Sequence, residues 1–259
     1  SLNTRELLEV AAVLRAARTA GEYGAGEEKS PISHLFHALT PNRFLEDTIT
    51  NSIVGEDELA DSASPELASI RRHMRATESK VRDILQKLIS SNQSKYLQES
   101  IITIRSDRYV VPVKAEHKNA IPGLVHDVSS SGSTFFIEPM GVVKANNELR
   151  ELAAREKKEI ERILAELSAQ CAAHKEDIGE DYTLLILLDT IFARGQLSLK
   201  MEASQPGLSE RYLRLRGARH PLLDKKKAVA NDLELGDRFD TLVITGPNTG
   251  GKTVTLKTL

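Results

Sequence analysis

Apolar residues recur at helical spacing over two long stretches of the chain. The first stretch has a seam with steps of three and four, formed by Leu67, Ile70, Met74, Thr77, Val81, Ile84 and Leu88. This spacing places the seam on one helix face, so we predict an outgoing long helix over residues 67–100. The second seam has similar steps, formed by Leu149, Leu152, Glu156, Ile160, Ile163, Leu167 and Cys171. It predicts a returning helix and core segment over 142–204, with Gly179 as the expected break.

The segment between these helices changes to strand-like patterning. β-branched and aromatic residues predict strands at 101–105, 108–113, 124–125 and 133–137, with a turn at 106–107. We therefore predict a small β-module over 101–141. Because two apolar seams of similar length both need cover, we expect the flanking helices to pair antiparallel and to carry the module at their end.

The two ends of the chain have different patterns. Residues 1–66 contain shorter helical stretches separated by a Gly- and Glu-rich loop and by Pro41, which predicts a helical core. Residues 205–259 are typical of the N-terminal part of an α/β P-loop domain. The predicted fold is mostly α with a small β-module: a helical core, an antiparallel arm of two long helices with a β-tip, and then the start of an α/β domain.

A glycine-rich loop near the C-terminal end contains the clearest chemical motif. Gly246, Gly251, Lys252 and Thr253 satisfy the spacing G-x-x-x-x-G-K-[ST], after a run at 241–245 that we predict to be a strand. Glycines let backbone N–H groups surround phosphate oxygens, and a helix is expected to follow. Lys252 reaches the β- and γ-phosphates of a nucleotide, and Thr253 offers its hydroxyl to Mg²⁺.

Hydrolysis of ATP requires a further acidic residue at the end of a second apolar strand, where it holds the metal. No suitable strand occurs in the sequence. The nearest run, 184–189, lies inside a helical pattern. We therefore expect a piece of a larger ATPase that hydrolyses little or no ATP by itself.

Composition limits the class of protein and the cellular compartment that fit the sequence. The chain has 259 residues, a net charge of −2, no Trp and one Cys. Few aromatic residues favour a helix-rich protein, and one cysteine excludes an internal disulfide or a Cys-based zinc site. A reducing cytoplasm suits this cysteine usage. The sequence has no apolar run of membrane length, so we expect a cytoplasmic protein without membrane contact.

Charge is distributed unevenly along the chain. Asp and Glu outnumber Lys and Arg in 1–66, whereas Lys and Arg outnumber Asp and Glu in 67–118. The basic residues in the β-module are Arg105, Arg108, Lys114, His117 and Lys118. Such side chains give salt-dependent, sequence-independent affinity for phosphates, so we predict contact with nucleic acid. An ordinary soluble surface is the alternative.

Three motifs resemble the MutS family, and in particular its second bacterial paralogue. "ITGPNTGGKT" at 244–253 resembles the family's Walker A sequence, with Thr249 and Thr253 where Met and Ser are usual. "GARHPLL" at 217–223 resembles the element that opens the family's ATPase domain. "GLVHDVSSSGSTFFIEP" at 123–139 resembles a segment of the second paralogue rather than of the mismatch-repair protein. The resemblance covers essentially the whole chain.

The resemblance implies a homodimeric ATPase with an ABC-type nucleotide domain and a C-terminal Smr nuclease-like domain. It implies that the arm and tip clamp branched DNA or ribosomal RNA, in recombination suppression or the rescue of collided ribosomes. Carried onto this chain, the residues that bind ATP and Mg²⁺ are Gly246, Pro247, Asn248, Thr249, Gly250, Gly251, Lys252 and Thr253. No catalytic residue is assigned, because the Walker B, signature and nuclease motifs have no positions here.

Two other functions remain open from the sequence. The long helices could form a structural dimerisation rod in which the P-loop is a passenger. The chain could also belong to an unrelated P-loop NTPase with a coiled-coil insertion. Binding to branched DNA and to ribosomes across a salt range separates the clamp from the rod.

Overall fold

The protein is mostly helical, with small antiparallel sheets, which confirms the predicted class of a helical protein with a small β-module. The computed structural model describes residues 1–26, 30–224, 226–247 and 250–258. Two compact units, Ser1–Ile186 and Leu187–Leu259, are described here one at a time. No helix in the described part of the chain combines the length and apolar character needed to cross a membrane.

The elements alternate between long helices and short strands. In chain order the helices are α1 (Thr4–Gly24), α2 (Ser33–His37), α3 (Arg43–Ser52), α4 (Pro65–Ile89), α5 (Met140–Ala173), α6 (Lys175–Met201) and α7 (Lys252–Thr258). The strands are β1 (Ile53–Gly55), β2 (Glu58–Leu59), β3 (Thr103–Arg105), β4 (Arg108–Lys114), β5 (Gly123–Val128), β6 (Thr134–Pro139), β7 (Leu213–Ala218) and β8 (Asn231–Leu235). β1 pairs with β2, β7 pairs with β8, and the remaining strands form one sheet in the order β3-β4-β6-β5.

A first hydrophobic core joins α1, α3, the start of α4 and the C-terminal half of α5. Asn3 caps α1 by accepting a hydrogen bond from the backbone N–H of Glu6, whose carboxylate accepts from the N–H of Asn3. This capping box satisfies two N–H groups that a helix start leaves without partners. The buried members of the first core are Leu7, Ala11, Leu14, Leu45, Ile49, Ile53, Leu59, Leu67, Ile163, Leu167 and Cys171.

Helices α4 and α5 pack against each other in opposite directions. Near the start of α4, Nη2 of Arg155 lies 2.6 Å from Oε1 of Glu66. Further along α4, Nε2 of His73 lies 2.8 Å from Oε1 of Glu148. Residue numbers thus rise along α4 while they fall along α5, as in an antiparallel pair.

The start of α4 is tied to α5 by its capping residue. The hydroxyl of Ser64 accepts a hydrogen bond from the backbone N–H of Leu67, and Pro65 occupies the first turn. The same hydroxyl donates to Oε1 of Glu159 on α5 at 2.7 Å. Ser64 therefore ends the preceding loop, caps one helix and contacts the next.

The buried face of α4 departs from the predicted seam towards its C-terminal end. Leu85 and Ile89 are buried, whereas Ile84, which the seam predicts to be buried, is 39% exposed. An α-helix has 3.6 residues per turn, so its face drifts by about 20° per heptad from a strict 3.5 repeat. Over the length of α4, this drift moves the buried position from Ile84 to Leu85.

A second hydrophobic core joins the C-terminal half of α4, the four-stranded sheet and the start of α5. Its buried members are Val81, Leu85, Ile89, Leu97, Val111, Val113, Ile121, Ile137, Val142 and Leu149. β3 and β4 are joined at Ser106 and Asp107, whose φ angles of 50° and 59° are left-handed. This confirms the predicted turn, because two consecutive left-handed residues match the twist of a tight hairpin. The two cores lie at opposite ends of the α4–α5 pair.

The break after the returning helix lies at His174, and the expected break at Gly179 is wrong. α5 ends at Ala173, His174 has φ −113° and ψ 19°, and α6 begins at Lys175 and continues through Gly179. One glycine inside a helix costs only about 1 kcal/mol relative to alanine, which by itself is too little to end a helix. On either side of Gly179, Ile178 packs against the first core and the carboxylate of Asp181 accepts a hydrogen bond from the N–H of Thr40.

The second unit contains the β7–β8 ladder and the helix α7. Leu213 pairs with Leu235 and Leu215 with Leu233 in this ladder. Helix α7 follows the glycine loop as predicted, but residues 241–245 do not form the predicted strand. A strand needs neighbouring strands to satisfy its N–H and C=O groups, and among the described residues none pairs with this run.

Candidate nucleic-acid interface and phosphate-binding loop

Three of the five predicted basic residues lie together at the end of β4 and directly after it. Lys114 ends the strand, and His117 and Lys118 lie in and directly after the 3-10 turn Ala115–His117. The Nζ atom of Lys114 donates a hydrogen bond to the backbone oxygen of Lys95 at 3.3 Å. The Nζ atom of Lys118 lies 4.7 Å from the ring centre of Phe135 on β6.

The residues at the end of the outgoing helix complete this group. Nζ of Lys95 lies 5.0 Å from the ring centre of Tyr96, and the Tyr96 and His117 rings meet edge to face with their centres 5.1 Å apart. We call the set the aromatic–cationic cluster: Lys95, Tyr96, Lys114, His117, Lys118 and Phe135. The predicted interface omits Tyr96 because the apolar seam predicts one helix over 67–100, whereas α4 ends at Ile89 and Tyr96 lies in the 3-10 turn Asn92–Tyr96. A lysine–aromatic pair next to a strand-rich segment is the signal that could have found it.

The cluster has an excess of positive charge. In the part of the chain that the structure describes, the three lysines of the cluster have no carboxylate within the 4.0 Å ion-pair distance. His117 lies 3.5 Å from the carboxylate of its sequence neighbour Glu116. Lysine ammonium groups without an ion-pair partner can donate to phosphate oxygens without first breaking an ion pair.

Arg105 lies in a different environment. Its guanidinium carbon lies 4.3 Å from the ring centre of Phe136, and its Nε lies 3.4 Å from Oδ2 of Asp127 on β5. Nη1 also donates to the backbone oxygen of Ile104 at 2.9 Å. The side chain is 41% exposed. A phosphate at this position competes with Asp127 for the guanidinium, so a contact here adds less net charge attraction than one at the cluster.

Arg108 is held by internal contacts. Nη1 donates to both carboxylate oxygens of Glu138, at 2.8 and 3.1 Å, and Nη2 donates to Oδ1 of Asn147 at 2.7 Å. Glu138 is completely buried and also contacts Nε2 of His126 and Nδ2 of Asn146. Because Asn146 and Asn147 lie on α5, this network fastens the sheet to the helix. The phosphate contact of Arg108 stays a prediction.

The glycine loop has backbone conformations that suit a phosphate site. Gly246 and Gly251 have φ angles of 143° and 78°, which L side chains rarely adopt. The N–H of Gly250 donates to the carbonyl of Pro247 at 3.0 Å, which tightens the loop. Asn248 and Thr249 lie outside the described residues. Gly246 and Gly251 therefore lie where the backbone favours glycine.

The lysine and threonine of the motif lie at the start of α7. Nζ of Lys252 donates to the backbone oxygen of Gly246, so the ammonium folds back over the loop. Thr253 follows in the first turn of α7 and is exposed. An ammonium over a glycine loop, followed by a helix start, fits the phosphates of a nucleotide, and the threonine hydroxyl fits a bound Mg²⁺.

Three known proteins that are similar to this chain carry the name of one family. No protein-family model matches the chain. Proteins named endonuclease MutS2 from Acetivibrio thermocellus, Lachnoclostridium phytofermentans and Clostridioides difficile are 48%, 47% and 46% identical to it. Each alignment covers 100% of this chain but only 33% or 34% of the relative, so the chain spans about a third of the length of these curated relatives. Identity near one half along the whole chain shows that it belongs to the MutS2 branch of the MutS family.

Proposed function

We propose that this chain forms the arm and the nucleotide loop of an ATP-dependent clamp that grips nucleic acid. The observation that carries the proposal is the aromatic–cationic cluster, where Lys95, Lys114 and Lys118 meet without a nearby described carboxylate. The relatives are named as endonucleases, and enzymes of that name cleave nucleic acid, which supports the same class of ligand for this chain.

The grip depends on phosphate contacts rather than on reading bases in a duplex. Lysine ammonium groups are compact charges with three donors each, so they bind phosphate oxygens in many orientations. The sheet that holds Lys114 is anchored in the second core through Val111 and Val113. Because a lysine stem is flexible, ammonium groups on this fixed base can reach the phosphates of an irregular backbone.

The paired helices α4 and α5 act as the lever arm of the clamp. One end of the pair is packed in the first core through Leu67 and Ile163, and the other end in the second core through Val81 and Val142. Close-packed cores resist deformation, so a rotation applied at the first core is transmitted to the β-module. The β-module is then the clamp tip.

The glycine loop supplies the nucleotide site of the clamp. Gly246, Gly250 and Gly251 shape the loop, Lys252 holds the phosphates, and Thr253 holds Mg²⁺. Pro247, Asn248 and Thr249 complete the loop by resemblance. Bound ATP with Mg²⁺ supplies the free energy that distinguishes the open and closed states of the clamp.

The clamp closes around a large polyanion as a homodimer in the cytoplasm. Branched DNA and the RNA of a ribosome both present closely spaced phosphates on irregular backbones. A structural dimerisation rod is the alternative function, and it requires no affinity for either ligand. The family membership removes the support for an unrelated P-loop NTPase.

The test measures how binding by the complete natural protein depends on salt. Fluorescein-labelled four-way junction DNA and purified ribosomes are titrated between about 50 and 200 mM salt, where phosphate contacts lose most of their affinity. We expect Lys114→Gln with Lys118→Gln to lower the slope of log K against log salt by about 0.9 for each phosphate that the variant no longer neutralises. The matched control is Lys157→Gln with Lys158→Gln, two exposed lysines of α5.

The outcomes separate the clamp from the rod. An unchanged slope for both ligands in the Lys114 and Lys118 variant, or an equal change in the control, contradicts the proposed interface. For the nucleotide site, Lys252→Ala should abolish binding of a fluorescent ATP analogue and leave junction binding without nucleotide unchanged. Retention of nucleotide affinity by this variant contradicts the proposed phosphate contact.

A further inference from the structure

We propose that the aromatic–cationic cluster is a subsite for unpaired nucleotides, so that the β-module prefers single-stranded segments to continuous duplex. This inference rests on the proposed function and names the form of nucleic acid that the same surface takes. It is carried by the position of three rings among the cations: Tyr96, His117 and Phe135. A surface that bound only phosphates would need the cations and not the rings.

Tyr96 is held as a platform at the surface. Its 3-10 turn is capped by Ser91, whose hydroxyl accepts from the N–H of Gln93. The next residue, Leu97, is buried in the second core and forms a β-bridge with Val113. The Tyr96 ring is therefore half-buried and fixed at its backbone, while Lys95 lies over one ring face. A base that stacks on this ring meets a surface that is already ordered, so little conformational entropy is lost.

Phe135 offers a second platform of the same kind. It packs against the second core and is half-buried, and Lys118 lies over its ring. The neighbouring residue Phe136 faces Arg105 instead, whose charge is balanced by Asp127. The cluster thus differs from the Arg105 environment because its cations can leave their rings without leaving a described carboxylate behind.

The observed contacts fit an exchange in which a base replaces a lysine on the face of a ring. A base stacks on the ring face that a lysine covers, and the displaced ammonium moves to the phosphate of the same strand. Base–aromatic stacking is stronger than the contact of an exposed ammonium with a ring, so the exchange is favourable. Lys95 with Tyr96, and Lys118 with Phe135, are two such ring–cation pairs.

Only an unpaired strand can use both parts of the cluster. In a duplex the base faces are stacked on each other, and a protein reaches only their edges and the phosphates. The rings therefore add affinity for single strands and none for a continuous duplex. Branched DNA and folded RNA both contain unpaired nucleotides beside duplex segments, so this subsite would place the tip at such junctions.

The test compares three fluorescein-labelled ligands of equal length, each bound to the complete natural protein at one salt concentration. They are a single strand of about 20 nucleotides, an abasic strand with the same phosphates, and a duplex. Stacking needs accessible bases, and only the first ligand offers them. We expect the single strand to bind at least about fivefold more tightly than the abasic strand. This comparison needs no variant. We also expect Tyr96→Leu to remove about fivefold or more of single-strand affinity and to leave the affinities for the abasic strand and for the duplex unchanged.

Two variants control for the ring and for general effects. Tyr96→Phe keeps the ring and should bind single strands like the natural protein. Tyr182→Leu removes an exposed tyrosine of α6 and should change nothing. Equal affinity for single and abasic strands overturns the inference, as does equal loss of both affinities in Tyr96→Leu. If all ligands bind but without this discrimination, only the inference fails. Absence of binding to every ligand defeats the proposed function as well.

Discussion

Replacing Glu138 by glutamine removes the charge of a carboxylate that is completely buried between the β-module and α5. The natural carboxylate receives two hydrogen bonds from Nη1 of Arg108, at 2.8 and 3.1 Å, and one from Nδ2 of Asn146 at 2.7 Å. Nε2 of His126 contacts its other side. In the variant, an NH2 group replaces one carboxylate oxygen. This group faces hydrogen-bond donors and cannot accept from them.

The size of the effect follows from the exposure of Arg108. Removing one partner of a buried ion pair costs about 3–5 kcal/mol, because the remaining charge loses its compensation. The Arg108 side chain is 14% exposed and keeps its hydrogen bond to Asn147, so water and this amide offset part of the loss. We therefore expect a loss near the lower end, about 3 kcal/mol in the free energy of unfolding of the first unit.

Urea unfolding followed by circular dichroism measures the loss, and hydrogen exchange locates it. Amides of β4 and β6 should exchange faster in Glu138→Gln, because these strands hold Arg108 and Glu138. The control is Glu166→Gln, which removes an ion pair with Arg162 whose side chains are 55% and 60% exposed. Exposed pairs contribute about 0–1 kcal/mol, so this variant should change little.

Two results would refute the reasoning. A loss below about 1 kcal/mol for Glu138→Gln would place the buried network in the range of a surface ion pair. Faster exchange in α1 and α3, with β4 and β6 unchanged, would show that the network does not hold the sheet to α5. Either result would remove the structural basis for assigning Arg108 to internal contacts.

Two further predictions concern pH and glycine. The hydrogen bond from Arg162 lowers the pKa of Glu159 from 4.5 to about 2, so its stabilisation is complete above pH 4.5 and lost as the pH falls towards 2. Urea midpoints measured across this range should decline less steeply in Glu159→Gln, and an identical decline contradicts the assignment. Gly179→Ala should stabilise α6 by roughly 0.5–1 kcal/mol, since the new Cβ meets nothing within 4 Å. Gly123→Ala should lower the melting temperature, because its Cβ meets the backbone oxygen of Glu138; equal effects of both glycine variants contradict this difference.

Local patterns along the sequence predicted much of the secondary structure. The helical seams of α4 and α5, the hairpin turn at Ser106 and Asp107, and the helix after the glycine loop all appear in the structure. These features depend on hydrophobic period or on backbone angles of one or two residues. Such preferences act over a few neighbouring residues, so they can be read without knowledge of the fold.

Predictions failed where a local signal depended on distant partners. Residues 241–245 have strand-like composition but no described neighbouring strand, and Gly179 has the composition of a break but continues as helix. The same limit applies to Tyr96, which was predicted to lie in the long helix over 67–100 but lies in a 3-10 turn after it. In each case, hydrogen bonds or packing from other parts of the chain decide the conformation, and no periodicity reports them.

The basic residues of the β-module show most clearly which features follow from the sequence and which depend on the tertiary structure. Their number and approximate location were determined by the sequence alone. Only the tertiary structure separated Arg108, which pairs with buried Glu138, from Lys114 and Lys118, which lie beside the rings of the cluster. The separation depends on the pairing of β4 with β6 and on the packing of the sheet against α5. Charge belongs to a residue, but its availability to a ligand depends on which carboxylates the fold brings within reach.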